Sequence, residues 1–288
     1  MTKQPRLHLA HPKATSMPRI SVDANLLHRH EQSRLMDQAD TLFQRMSTRS
    51  SPSQPGEARR FLILSTPRTG STFLSRKLDQ TENLGWTHEW FNWQLMQHIC
   101  SRLGLAKMMF RQYLAFLDEA ASSDNKIYGI NLHIHQYLFL LKKKFDVLKR
   151  VDFERIYWLE REDRIAQAYS WTKALKTRCW SRDAEIALGF PDGFDVDIQP
   201  SEVATRLADI CRDTEYYTRT LRQSHTITRE FTYRSITKNQ CVDAVNSILS
   251  DFDRPLITEQ IPTNSTTVQT KNSDRERIQA LKQMFVGP

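Results

Sequence analysis

Apolar residues recur at Leu35, Met36, Ala39, Leu42, Phe43 and Met46, the i, i+1, i+4, i+7, i+8, i+11 spacing of one helical face. The spacing predicts an amphipathic helix over about Val22 to Met46, docked on the domain by that stripe, with charged residues on its other faces. The first 20 residues are polar and proline-punctuated and read as a disordered arm, and SSPSQPGE (Ser50 to Glu57) reads as a turn-rich linker. Phe61-Leu62-Ile63-Leu64 then forms a short apolar run beside a Ser/Thr/Pro/Gly turn, the pattern of a buried strand. Further strands are predicted at Ile127–Leu132, Ile156–Leu159 and Thr226–Phe231. Helices are predicted at Ser71–Leu78 and over about Ala106–Ala121, Arg164–Cys179, Glu202–Arg222, Asn239–Ser250 and Asp274–Phe285. Strands alternating with helices imply an α/β fold, a central parallel sheet with helices on both faces. The chain divides on this reading into an arm, helix and linker over 1–58 and one domain over 59–288.

Composition removes several function classes. The longest uninterrupted apolar stretch, Tyr137 to Leu141, is far short of the roughly 20 residues of a membrane-spanning helix. Charge and proline occupy the N-terminus where a signal peptide would place an apolar run. Four cysteines without a CxxC pair fit a reducing, cytoplasmic setting, with neither a disulfide nor a zinc site expected. The net charge of +8 raises the possibility of a polyanionic partner. It is unevenly placed, because residues 1–60 hold ten Lys or Arg against five acids while the remaining 228 hold 31 against 28. No nucleic-acid recognition motif accompanies the basic arm, so no nucleic-acid partner is expected.

The chemistry concentrates in FLILSTPRTGSTFL (Phe61 to Leu74), a strand, a tight turn and a helix start. In that geometry the backbone N–H groups of the turn and the helix dipole form an anion site. Gly70 lets the backbone approach the anion, Ser71 and Thr72 add hydroxyl donors, and Arg68 adds a fixed charge. A Walker A loop would need GxxxxGK[ST], and Ser71 stands where its lysine would be, which disfavours ATP chemistry and a kinase.

Two later segments sharpen the reading. STPRTGSTFLSRKL, then HEWF (His88 to Phe91), then LEREDRIAQAYSWTKALKTRCW (Leu159 to Trp180) together resemble the bacterial sulfotransferase family typified by trehalose 2-sulfotransferase, and TITREFTYRSI (Thr226 to Ile236) resembles that family's late strand and turn. The resemblance implies a three-layer, P-loop-like fold, with 3′-phosphoadenosine-5′-phosphosulfate (PAPS) as donor, 3′-phosphoadenosine-5′-phosphate (PAP) as product and no metal. It implies that Arg68, Thr69, Gly70, Ser71 and Thr72 hold the 5′-phosphosulfate, that Arg161 and Ser170 hold the 3′-phosphate, and that Lys271 closes over the nucleotide. Glu89 matches the family's general base, and Arg68 would stabilise the leaving phosphate. His88, Trp90, Phe91 and His133 become acceptor-contacting candidates, although burial against the sheet explains the aromatic pair equally well. Asn131 departs from the family, which often carries a basic residue near that position; the departure bears on the acceptor rather than the donor. His133 and His135 alternate on a predicted strand end and so face one side together. The acceptor expected from the resemblance is a small molecule or glycolipid, and a homodimer accords with family precedent.

Overall fold

Arg59–Ser65 (β1) is the middle strand of a five-stranded sheet, buried from Arg60 onward because its apolar side chains serve two covered faces. The computed structural model describes residues 24–48, 58–105, 109–188, 190, 196–258 and 272–287. Before β1 lies Ala24–Thr48 (α1), and after it come Ser71–Asp79 (α2), Thr87–His88 (β2), Trp93–Arg102 (α3) and Phe110–Ala120 (α4). Ile127–His133 (β3), Ile134–Lys142 (α5), Val147–Arg150 (α6), Arg155–Glu160 (β4) and Arg164–Thr177 (α7) follow. The chain continues through Arg182–Ala187 (α8), Pro200–Tyr216 (α9), Arg222–Ser224 (α10), Arg229–Thr232 (β5), Tyr233–Thr237 (α11), Val242–Asp251 (α12) and Asn272–Val286 (α13). Strand order is β2-β3-β1-β4-β5 and every pair is parallel, the α/β architecture that the alternation predicts.

Alternation along the strands sorts the core. Leu62, Leu64, Tyr128, Ile130 and Trp158 face one way, into a cluster with α1 and α3 to α6, to which α1 contributes Leu35, Ala39 and Leu42. Phe61, Ile63, Tyr157 and Leu159 face the other way, against α2 and α12. Helices α7, α9 and α13 pack into a third cluster through Tyr169, Trp171, Ile210 and Leu281.

This sorting creates the crevice. The helix after β1 lies on one face and the helix after β3 on the other, although the two strands are neighbours. Chains leaving adjacent parallel strands in opposite directions open a gap at the strands' carboxyl ends, where α/β proteins place their ligands.

Several elements differ from the sequence reading for local reasons. The alternation Leu132-His133-Ile134-His135 ends as a strand at His133, because the Gln136 side chain accepts from the His133 backbone N–H (3.1 Å) and starts α5 there. Both imidazoles still meet, with ring centroids 5.6 Å apart and planes 16° from parallel. The late strand is Arg229–Thr232 rather than Thr226–Phe231, and the helix begun at Pro200 passes into a π-helical turn at Tyr217–Leu221. The last helix begins at Asn272 rather than Asp274, and Asp274 is buried in its first turn between Tyr169 Oη (3.0 Å) and Lys173 Nζ (2.9 Å) on α7.

At the start of β1 the Arg60 guanidinium forks onto both oxygens of Asp118 (2.7 and 2.5 Å), and Tyr128 Oη donates to the same carboxylate (2.9 Å). Arg60 and Asp118 are both buried, so truncating either side leaves an uncompensated charge in the core. Asp118→Ala is expected to cost about 3 kcal/mol, read as a lowered denaturation midpoint at unchanged slope. Among the described residues no helix is long and apolar enough to cross a membrane, and the cysteines are free.

Candidate active site

The turn after β1 is built by strain and by outside clamps. Arg68 takes a left-handed conformation (φ 66°) and Gly70 another (φ 88°), so the chain reverses within four residues and α2 starts at Ser71. Strained backbone of this kind persists where surroundings enforce it. Here Gln167 of α7 donates from Nε2 to Thr66 Oγ1 (2.7 Å) and to the Pro67 carbonyl (2.6 Å), while Thr69 Oγ1 donates back to the Thr66 carbonyl (3.0 Å). Thr69 is therefore spent on the turn itself. Ser71 is buried at the helix start and Thr72 is exposed, both in the first turn, where unpaired backbone N–H groups gather positive potential.

Gly70 cannot carry a side chain in this setting. A Cβ there would lie 2.7 Å from Ile236 Cδ1 and 3.2 Å from Tyr233 Cδ2, in a conformation unfavourable to L-residues. Gly70→Ala is expected to destabilise the protein by about 1–3 kcal/mol, seen in chemical denaturation, and to weaken anion binding at the turn.

Two arginines converge on this turn. Arg68 donates from Nε to Ser170 Oγ (3.0 Å) and from a terminal nitrogen to the Trp180 carbonyl (2.6 Å). Arg161, just past β4, donates to the Arg68 carbonyl (3.2 Å) and lies over the Tyr233 ring at 4.3 Å. Burial, then the like charge of Arg161, pulls Arg68 down to about 10, and burial lowers Arg161 as well. The Arg161 Nε is buried with no hydrogen-bond partner among the described residues. A pair of desolvated guanidiniums with an orphaned donor is relieved by an anion placed between them. Lys271 lies outside the described residues.

On the other side of the crevice, β2 delivers Glu89. Its Oε2 accepts from Gln136 Nε2 (2.8 Å), and its Oε1 stands 3.6 Å from His133 Nε2, whose Nδ1 is 2.8 Å from Ser65 Oγ. Burial would raise the Glu89 carboxyl, but His133, Gln136 and Arg34 outweigh it and hold the group well below the usual carboxylate range. Glu89 is thus an ionised, partly exposed carboxylate on a fixed mount. His88 Nδ1 accepts from the Glu89 backbone N–H (2.9 Å), and burial above all lowers its imidazole to about 4, so it sits neutral and fixes the backbone that carries the carboxylate.

The aromatic neighbours belong to the core. Trp90 and Phe91 are 0% and 1% exposed, and Trp90 donates from Nε1 to the Gly129 carbonyl (3.0 Å) while its own carbonyl accepts from Tyr113 Oη. They brace the strand end behind Glu89 and offer no face to an acceptor. Asn131 is also buried, with its Oδ1 unpartnered among the described residues. Sequence reasoning missed Gln136 and Tyr233. Gln136 had a signal in its place three residues after a cap; Tyr233 lay in the late segment Thr226 to Ile236, but only the tertiary fold brings it to Arg161.

A family model described as Stf0 sulphotransferase matches residues 60–252. No curated protein matches. Among solved structures, a sulfotransferase from Alicyclobacillus acidocaldarius is similar at 12% identity over 82% of this chain and 97% of that one, with a TM-score of 0.42.

Proposed function

Because the chain belongs to the Stf0 sulphotransferase family and is a sulfotransferase, we propose that it moves the sulfuryl group from PAPS to a hydroxyl of a carbohydrate or glycolipid acceptor. The observation that carries this reading is the convergence of Arg68, Ser170 and Arg161 on one strained turn. Two guanidiniums and a hydroxyl gathered at one turn suit a ligand rich in phosphate, such as a nucleotide phosphorylated at both ends. The α2 N–H groups and Arg68 would take the 5′-phosphosulfate; Arg161 and Ser170 would take the 3′-phosphate.

Each residue then has a role in an in-line displacement. Glu89 removes the proton from the acceptor hydroxyl as its oxygen attacks sulfur. The bond between sulfur and the bridging 5′-phosphate oxygen breaks, and Arg68 and the turn's N–H groups stabilise the charge that gathers on the leaving phosphate. The products are a sulfate ester and PAP, with the proton on Glu89. A kinase reading has no comparable support, since Ser71 occupies the position of the phosphate-binding lysine.

The test is label transfer. Purified protein incubated with labelled PAPS and a panel of sugars, glycolipids, phenols and alcohols is expected to label a hydroxyl acceptor. PAP is expected to raise the melting temperature far more than the same nucleotide without its 3′-phosphate. Equal shifts from the two nucleotides would remove the basis for the reading.

A further inference from the structure

Helix α1 precedes every motif of the site, yet it reaches that site. Leu35, Ala39 and Leu42 are buried in the main core and fix the helix's rotation. Glu31, one turn before Leu35 on the same side, accepts from Trp180 Nε1 (3.2 Å), and its other oxygen lies 3.7 Å from the Arg178 guanidinium. The carbonyl of that same Trp180 holds Arg68. Gln32 Oε1 meets His98 Nε2 of α3 at 3.1 Å. At the helix's far end the Arg45 guanidinium lies 4.4 Å from the Trp86 ring centroid, beside the entry to β2. Arg34 is 11 residues earlier, about 16 Å along the axis. The helix therefore runs against the strand direction, and Arg34 arrives at the end where β2 presents Glu89.

The state of Arg34 points to a ligand. Its Nε is buried and has no hydrogen-bond partner among the described residues. Its charge bears on both His88 and Glu89. Glu89 Oε2 accepts from Gln136 and its Oε1 faces His133, and neither oxygen accepts from the Arg34 Nε. A guanidinium whose buried Nε is unpartnered among the described residues, beside the carboxylate read as the base, suits an anionic oxygen on the acceptor.

We propose that α1 forms one wall of the acceptor pocket and that Arg34 binds an anionic group, a carboxylate, phosphate or sulfate, carried by the hydroxyl-bearing acceptor. The inference rests on the reading of Glu89 as the acceptor-side base. It gives one of the ten basic residues in 1–60 a specific task.

Matched pairs test it on the full chain: methyl glucoside against methyl glucuronide, glucose against glucose 6-phosphate, and 4-methylphenol against 4-hydroxyphenylacetate. Each is offered with PAPS for turnover, and with PAP for the shift in melting temperature of the nucleotide-loaded protein. The charged member of a pair is expected to be favoured about 10- to 100-fold through KM, or to give the larger shift where turnover is absent. Arg34→Gln is expected to bring the charged-to-neutral ratio near one, and Arg34→Lys to restore part of it. Equal treatment of charged and neutral members by the unmodified chain overturns the proposal, as does a ratio that survives Arg34→Gln. A uniform loss of kcat in Arg34→Gln for both members would instead assign Arg34 to holding Glu89 ionised. Failure of PAP to bind with a 3′-phosphate preference would strike the sulfotransfer reading itself and is scored separately.

Discussion

Replacing Arg161 with alanine is expected to weaken PAP binding by about 10- to 100-fold and to abolish the preference for PAP over AMP, as read by titration calorimetry. The size follows from the side chain's setting. Its guanidinium is desolvated over Tyr233, with a buried Nε unpartnered among the described residues, so on the proposed reading the wild-type chain would gain a charge-assisted contact that the variant cannot make. AMP lacks the 3′-phosphate, and its affinity is expected to change little. The substitution also removes the like charge that helps depress Arg68, so binding of anions at the 5′ end is expected to survive. A variant that still prefers PAP would place the 3′-phosphate elsewhere.

Glu89→Gln is expected to lower kcat by about 100- to 10,000-fold while PAP binds with unchanged affinity. The amide keeps the shape and the contact with Gln136 through its oxygen, but it cannot take a proton. The pH dependence follows from the depressed carboxyl. A base held well below the ordinary carboxylate range stays ionised when the pH falls through about 4–5, so Glu89 is expected to impose no acid limb on kcat there. The same depression makes Glu89 a source of folding stability that is present above its unfolded pKa and lost only as the pH falls through the lower folded value. Undiminished sulfation by Glu89→Gln would show that another group takes the proton.

The sheet was legible because buried parallel strands are continuous apolar runs. FLIL, IYGINL and IYWL each announced a strand, and STPRTGST announced the turn between a strand and a helix. The two-residue strand β2 was not legible, since Thr87-His88 has no periodicity and exists through its pairing with Gly129 and Ile130. At the site, residues carried by a motif were found, and residues that only packing brings in were not. The motifs nominated both Arg68 and Ser170, 102 positions apart, but paired Ser170 with Arg161, whereas its hydroxyl accepts from Arg68; the clamp from Gln136 to Glu89 and the ring of Tyr233 under Arg161 depend on packing alone. Trp90 and Phe91 mark the opposite limit: aromatic density near a candidate base does not distinguish a binding face from the wall behind it.

The strand order carries a kinetic consequence. The positive groups stand on the turn of β1 and at the end of β4, while the carboxylate and its mount stand at the ends of β2 and β3. On the proposed reading, opposite halves of one sheet would serve the two substrates. Substitutions in the β2–β3 half are then expected to change the acceptor's Michaelis constant more than the nucleotide's, so that selection or design could act on one while the other stays nearly fixed.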